Sequence, residues 1–146
     1  MNFRCLLFFL AEGLDNYFQN RNRIRVKDGW TWITIPVASR GKSKQLISDV
    51  KIVNTGNWKE KNLKTISQAY RKAPYFDKYW DSLCEIYSDP WDNLSDLNTT
   101  LIHHFSTSLG IETKVLSASS LNAKGKSSNL LLNICLELNT DTYLSG

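Results

Sequence analysis

Three arginines stand at alternate positions, Arg21, Arg23 and Arg25, ahead of a turn at Lys27-Asp28-Gly29 and the run Trp30-Thr31-Trp32-Ile33-Thr34-Ile35-Pro36-Val37. A guanidinium grips phosphate or carboxylate through two parallel N–H groups. Successive side chains of a strand point to opposite faces. An Arg-x-Arg-x-Arg strand therefore lines up its cations on one side. Asp28-Gly29 is a dipeptide favoured in two-residue type I′ hairpin turns, where both positions take positive φ. That turn pairs Arg25 with Trp32, Ile24 with Ile33, Arg23 with Thr34 and Asn22 with Ile35. One face then holds Ile24, Val26, Ile33, Ile35 and Val37, fit for a core. The other holds Arg21, Arg23, Arg25, Trp32 and Thr34, fit for an anionic ligand. The same alternation also suits a solvated strand face with arginine lying over tryptophan.

The elements around this hairpin follow from apolar spacing. Cys5 to Ala11 is a short apolar run after Arg4 that faintly resembles a signal peptide, but its seven residues are at the lower limit for one and Glu12 follows at once, so it is read as a core strand or helix; a membrane span needs about 20 residues. A basic loop at 38–45 leads to a third strand at 46–53. Asn57 and Glu60 form a capping-box pattern at the start of a helix that buries Leu63, Ile66 and Tyr70 and stops before Pro74. A second helix lines up Phe76, Tyr79, Trp80, Leu83, Ile86 and Tyr87. A third begins near Ser95, turns Leu97, Leu101, Phe105 and Leu109 inward, and ends at Gly110. Strand 113–117, a Ser/Asn/Gly loop at 118–125, helix 127–138 and strand 141–145 make a βαβ unit with parallel strands. Ligands of open α/β sheets lie beyond the carboxyl ends of the strands, here the loop 117–120 and Ser145-Gly146.

Other chemistry is thinly represented. Gly125-Lys126-Ser127 would end a P-loop, but Ser120 stands where its first glycine belongs, so the segment reads as a helix start whose Lys126 can still favour an anion. His103 and His104 diverge by about 100° on a helix and cannot share a metal as residues four apart do; one packs and the other faces water. No nucleophile elbow, paired-carboxylate motif or GxGxxG occurs, and no cofactor is implied.

Composition bounds the class. The chain has 146 residues, 42% hydrophobic and 22% charged, with a net charge of +4, sufficient for one domain with its own core. So mild a charge does not require nucleic acid as partner, and none is expected. Cys5, Cys84 and Cys135 are widely spaced, without a CxxC or Cys/His cluster, and read as small buried thiols of a reducing, cytoplasmic compartment. On that reading the glycosylation sequons at Asn93 and Asn98 arise by chance.

Taken in order, several segments resemble the WbqC-like family. They are Arg21-Asn22-Arg23-Ile24, Trp30 to Val37, Gln45-Leu46-Ile47, Asn57-Trp58 with Leu63 to Ile66, Tyr70 to Phe76, Leu94 to Asn98, Leu109-Gly110-Ile111 and Asp141 to Gly146. The resemblance covers Phe18 to Gly146. It implies a bacterial protein of O-antigen or other surface-polysaccharide synthesis, a transferase moving an amino-acid or acyl group to a sugar. Met1 to Tyr17 lacks the family's opening Gln-Pro-Tyr-Phe-Pro-like motif, and members continue beyond Tyr-Leu-Ser-Gly, so residues 1–146 read as one WbqC-like domain that is shortened or fragmentary. The expected fold is α/β: an N-terminal β-hairpin, central helices and a C-terminal parallel βαβ unit. The expected ligand is a nucleotide sugar or sugar phosphate. Arg21 and Arg23 would bind its anion, Asn22 and Thr34 orient hydroxyls, Trp32 stack on sugar or base, and Lys126 and Ser145 close the site. The rival expectations are a non-catalytic anion-binding module, an inactive remnant, or a structural subunit that forms a homo-oligomer.

Overall fold

The computed structural model describes residues 19–38, 45–140 and 142–143, and the backbone of 5–8. Strand β1 is Cys5–Phe8, β2 is Arg21–Val26 and β3 is Gly29–Thr34. β2 and β3 form the expected hairpin, in a different register. Arg21 pairs with Thr34, Arg23 with Trp32, Arg25 with Trp30 and Val26 with Gly29. The turn therefore sits on Lys27 and Asp28, not on Asp28 and Gly29. Neither Lys27 nor Asp28 takes positive φ; Gly29 alone does, at +135°. The glycine closes the loop as the first residue of β3, opposite Val26, and does not occupy the turn's centre. The shift is two residues, and an even shift leaves every side chain on its original face. The division into an arginine face and an apolar face survives.

The chain then leaves the ladder and enters the core. Ile35 is buried, and beyond Pro36 a single antiparallel bridge joins Val37 to Ile52. The strand expected at 46–53 is a 3-10 turn over Ile47–Asp49 followed by that bridge. The cause lies in the burial. Ile47 and Val50 both face the core, and a spacing of three suits a helical turn, whereas a strand would bury alternate residues.

Three helices follow: α1 (Trp58–Tyr70), α2 (Phe76–Ser88) and α3 (Leu94–Ser108). Asn57 sits at the cap position of α1, but its side chain makes no cap hydrogen bond, so the capping box does not form. The core gathers Ile35, Ile47, Val50, Ile52, Trp58, Tyr87, Leu94 and Leu97, flanked by Leu63, Leu83, Ile86 and Leu101. α3 ends as its glycine predicts. Gly110 has φ +67°, its N–H bonds the Thr107 carbonyl, and the Ile111 N–H bonds the Ser106 carbonyl, a Schellman motif. Its last turns, however, run past the core. Phe105 is 49% and Leu109 73% exposed, against the inward positions expected of them.

Strand β4 (Lys114–Ser117) pairs in parallel with β1, Leu6 opposite Val115 and Leu7 opposite Leu116. The apolar N-terminal run thus contributes a strand, and its partner lies more than 100 positions along the chain. Helix α4 (Ser127–Glu137) follows, with Ile134 buried and Leu130, Leu131 and Cys135 half-buried. The last strand of the expected βαβ unit falls largely outside the described residues; Thr142 and Tyr143 are described and are not in a strand. The parallel partner seen for β4 is β1. Cys84 and Cys135 are free and half-buried rather than fully enclosed. No described helix is long and apolar enough to cross a membrane.

The core assignment predicts an asymmetry within α3. Leu94 is fully enclosed, so Leu94→Ala should cost about 2–5 kcal/mol of unfolding free energy. Leu109→Ala on the same helix should stay within about 0.5 kcal/mol. Urea denaturation of the two variants measures both.

Candidate functional site

The arginine face of the hairpin is built from cross-strand pairs. Opposite residues on one face lie close enough for their side chains to interact, and diagonal neighbours remain within reach of long ones. The Arg21 guanidinium carbon lies 4.5 Å from the centroid of the Trp32 ring. That of Arg23 lies 5.1 Å from Trp30 and 5.7 Å from Trp32. The two indoles meet edge to face, centroids 5.4 Å apart at 80°. Cations and rings therefore interleave in the sense Arg21, Trp32, Arg23, Trp30. The negative faces of the indoles attract the guanidiniums, which offsets the repulsion between two like charges held two residues apart on a strand.

The ladder is anchored to α1 and to the core. The Arg25 backbone N–H donates to the Tyr70 hydroxyl at 2.9 Å, at the far end of α1. The Asn62 amide, buried on the same helix, donates to the Thr34 carbonyl at 3.1 Å. Asn20 and Ile35 bond twice: the Ile35 N–H donates to the Asn20 carbonyl and the Asn20 side chain donates to the Ile35 carbonyl. Asn98 of α3 donates to the Gln19 carbonyl. Burial pushes the Tyr87 hydroxyl above its usual range, and a weaker opposing pull comes from Asn62. The tyrosine behind the site therefore stays neutral at physiological pH.

Arg21, Arg23, Trp32 and Thr34 stand together on one hairpin face. Asn22 does not. It pairs with Ile33 on the opposite side, and its side-chain oxygen accepts the Arg23 backbone N–H at 2.8 Å. Lys126 lies at the start of α4, exposed, and no broad interface joins α4 to the hairpin. Ser145 lies outside the described residues. Reading residues in pairs from the wrong turn left out Trp30, which is 54% exposed and completes the ladder. Its signal was parity: Trp30, Trp32 and Thr34 share a face in any even register. Tyr70 and Asn62 carried no comparable signal, because each became an anchor only when α1 docked.

Other corners offer less. A shallow cavity of about 280 Å³ opens at the start of α1, lined by Asn54, Gly56, Trp58, Lys59, Glu60 and Pro90. Lys59, its cation, already donates to the Asp89 carbonyl. His103 is exposed, while His104 is half-buried with its ring edge against Phe105. Among the described residues no group of three His, Cys, Asp or Glu side chains is placed to hold a metal ion.

Comparison with known proteins decides the family. The WbqC-like protein family profile matches residues 13–146. The chain belongs to the WbqC-like family. The match begins five residues before Phe18, the start of the segments that resemble the family. This WbqC-like chain is also 31% identical over 130 residues to the uncharacterized protein Rv1507c of Mycobacterium tuberculosis, an alignment covering 88% of the chain and 56% of the relative. It thus spans little more than half the length of that relative. No solved structure matches significantly.

The anchoring predicts a local effect of Tyr70→Phe. Loss of the hydroxyl acceptor at the Arg25 N–H should cost about 0.5–1.5 kcal/mol. Amide hydrogen exchange should show faster opening at Arg25, with Leu94 and Leu97 in the core unchanged.

Proposed function

We propose that the Arg21–Trp32–Arg23–Trp30 face is the ligand site of a transferase-type protein of bacterial surface-polysaccharide synthesis, and that its ligand is a nucleotide sugar or sugar phosphate. The observation that carries this reading is the pair of guanidiniums gathered around one indole, with the neighbouring indole exposed. The two cations suit a phosphate or diphosphate, which accepts two N–H bonds from each guanidinium. Trp30, more exposed than Trp32, offers a sugar the part of its ring that the Arg23 guanidinium leaves open. The Thr34 hydroxyl lies across the ladder from Arg21 and can orient a sugar hydroxyl. Lys126 and Ser145 belong to the proposed site only as groups contributed from the other end of the chain. The family resemblance supports the pathway, and the hairpin chemistry supports the ligand class.

A second reading has its own observation. The residues assembled on this face are cations, indoles and a hydroxyl, which bind and orient. Among the described residues of this face there is no carboxylate or imidazole. That composition also fits a non-catalytic module that captures the same anion for another protein.

Arg23→Ala is the direct test. The ligand-free variant should keep its stability within about 1 kcal/mol, the worth of an exposed cation–π contact. Its affinity for the nucleotide sugar should fall by about tenfold or more, since hydrogen bonds to charged groups contribute about 1.5–3 kcal/mol each. Thermal shift against a panel of nucleotide sugars and sugar phosphates reads both, because a ligand that binds only the folded state raises apparent stability. An unchanged shift in the variant would remove the assignment. Mixing a responding donor with acceptor sugars, and looking for transfer by mass spectrometry, separates the enzyme from the module.

A further inference from the structure

The basic residues of the hairpin do not end at the ladder. Arg25 and Lys27 are exposed on the strand and turn beyond it. The Tyr70 hydroxyl, hydrogen-bonded to the Arg25 N–H, brings the carboxyl end of α1 alongside. The five residues from Arg71 to Tyr75, Arg-Lys-Ala-Pro-Tyr, are all exposed. Two basic segments some 45 positions apart in sequence thus become neighbours. They also carry two exposed aromatics, Trp30 near the hairpin turn and Tyr75, the latter 71% exposed.

The charge distribution is lopsided. Arg21, Arg23, Arg25, Lys27, Arg71 and Lys72 are six basic residues, and Asp28 is the acidic residue within these two segments. Setting these aside from the 18 basic and 14 acidic residues of the chain leaves 12 basic and 13 acidic. The ladder and the adjoining docking segments together account for all of the net charge of +4, and the rest of the chain sums close to neutral. Exposed Lys and Arg next to exposed Trp and Tyr is the composition of a protein face that meets anionic headgroups. Each cation near such a surface gains about 1 kcal/mol, while the amphipathic rings settle at headgroup level. The alternative polyanion, single-stranded nucleic acid, binds by stacking bases on aromatic faces. Here guanidiniums already lie over both hairpin indoles.

We propose that the hairpin turn and the Arg71–Tyr75 segment form a docking surface for anionic phospholipid membranes. Arg25, Lys27, Arg71 and Lys72 engage the headgroups, and Trp30 and Tyr75 seat in the interface. This surface adjoins the Arg21–Trp32–Arg23 ladder, so a chain docked in this way would hold its ligand site at the membrane. The docking claim shares Trp30 with the ligand site proposed above but does not depend on which ligand that site takes.

The test is vesicle co-sedimentation of the full chain with equimolar phosphatidylglycerol and phosphatidylcholine, against phosphatidylcholine alone. Binding is expected only to the anionic vesicles, weakening as salt rises, with a blue shift of tryptophan emission that Trp30→Phe diminishes. The triple variant Lys27→Glu/Arg71→Glu/Lys72→Glu alters exposed side chains only and should melt like the parent. Its partition onto anionic vesicles should fall by at least about tenfold. Lys27→Gln/Arg71→Gln/Lys72→Gln, with a smaller fall, separates loss of attraction from added repulsion and serves if the reversal variant folds poorly. Equal binding to neutral vesicles, or undiminished binding by a folded triple variant, would overturn the proposal. So would tighter binding to a single-stranded oligonucleotide than to the anionic vesicles at the same salt. Arg23→Ala should lower vesicle binding much less than the triple variant does while weakening the nucleotide-sugar shift, so the two readings can fail separately.

Discussion

The structure depends on how the hairpin's backbone is satisfied where it leaves water and enters the core. The β2–β3 ladder ends at Arg21 and Thr34, and the next residue, Ile35, is buried. Buried carbonyls and N–H groups need partners, because an unmet one costs about 1–3 kcal/mol. Among the described residues no third strand pairs with the hairpin to supply them. Asparagine amides do so instead. Asn20 closes on the Ile35 carbonyl, Asn62 on the Thr34 carbonyl and Asn98 on the Gln19 carbonyl. A fourth, Asn54, reaches the Trp91 carbonyl between α2 and α3. A primary amide carries two donors on a short stem, which suits it to reach backbone oxygen across a packed interface. These contacts fix where the hairpin stands relative to α1 and α3, and hence where the arginines point.

Much of this was legible in the sequence, for reasons that can be named. Strand parity assigns Arg21, Arg23 and Arg25 to one face whatever the register, so the face survived a turn placed one residue too late. The helices were legible from their apolar spacing and from Pro74 and Gly110. The boundaries that failed did so where tertiary burial overrode local pattern. Ile47 to Ile52 is rich in strand formers, yet the core takes Ile47 and Val50 together and winds the segment into a turn. Phe105 and Leu109 continue the apolar stripe of α3 past the described core.

Long-range pairing was the part that spacing could not show. β4 was expected to find a parallel neighbour just beyond α4, the usual outcome of a βαβ unit. Its partner is β1, from the opposite end of the chain. A short apolar run such as Cys5 to Ala11 has no periodicity that distinguishes a strand from a buried helix, and nothing in it names a partner. The site followed the same rule. Its cations and one indole could be read from the hairpin alone. Its anchors, Asn62 and Tyr70, lie on α1, where Asn62 looks like an ordinary polar position and Tyr70 like a core residue.

A two-stranded hairpin is marginal by itself in water, and one that keeps a face of arginines and tryptophans toward solvent can bury only the other. This hairpin is held at both ends. The Arg25 N–H is tied to Tyr70 near the turn, and Thr34 and Ile35 are tied to Asn62 and Asn20 at the base. Between those ties the indoles hold the guanidiniums in place before any ligand arrives. Ordering an arginine costs up to about 2 kcal/mol of side-chain entropy. A pair already stacked has met part of that cost during folding, so more of the hydrogen-bond energy remains for the anion. The ladder, its anchors and the core behind them all lie between Gln19 and Leu101, whereas β4 and α4 make no broad contact with the hairpin. The described residues of the proposed anion site and its anchors thus fall within one segment of the chain, the hairpin and the helices that hold it.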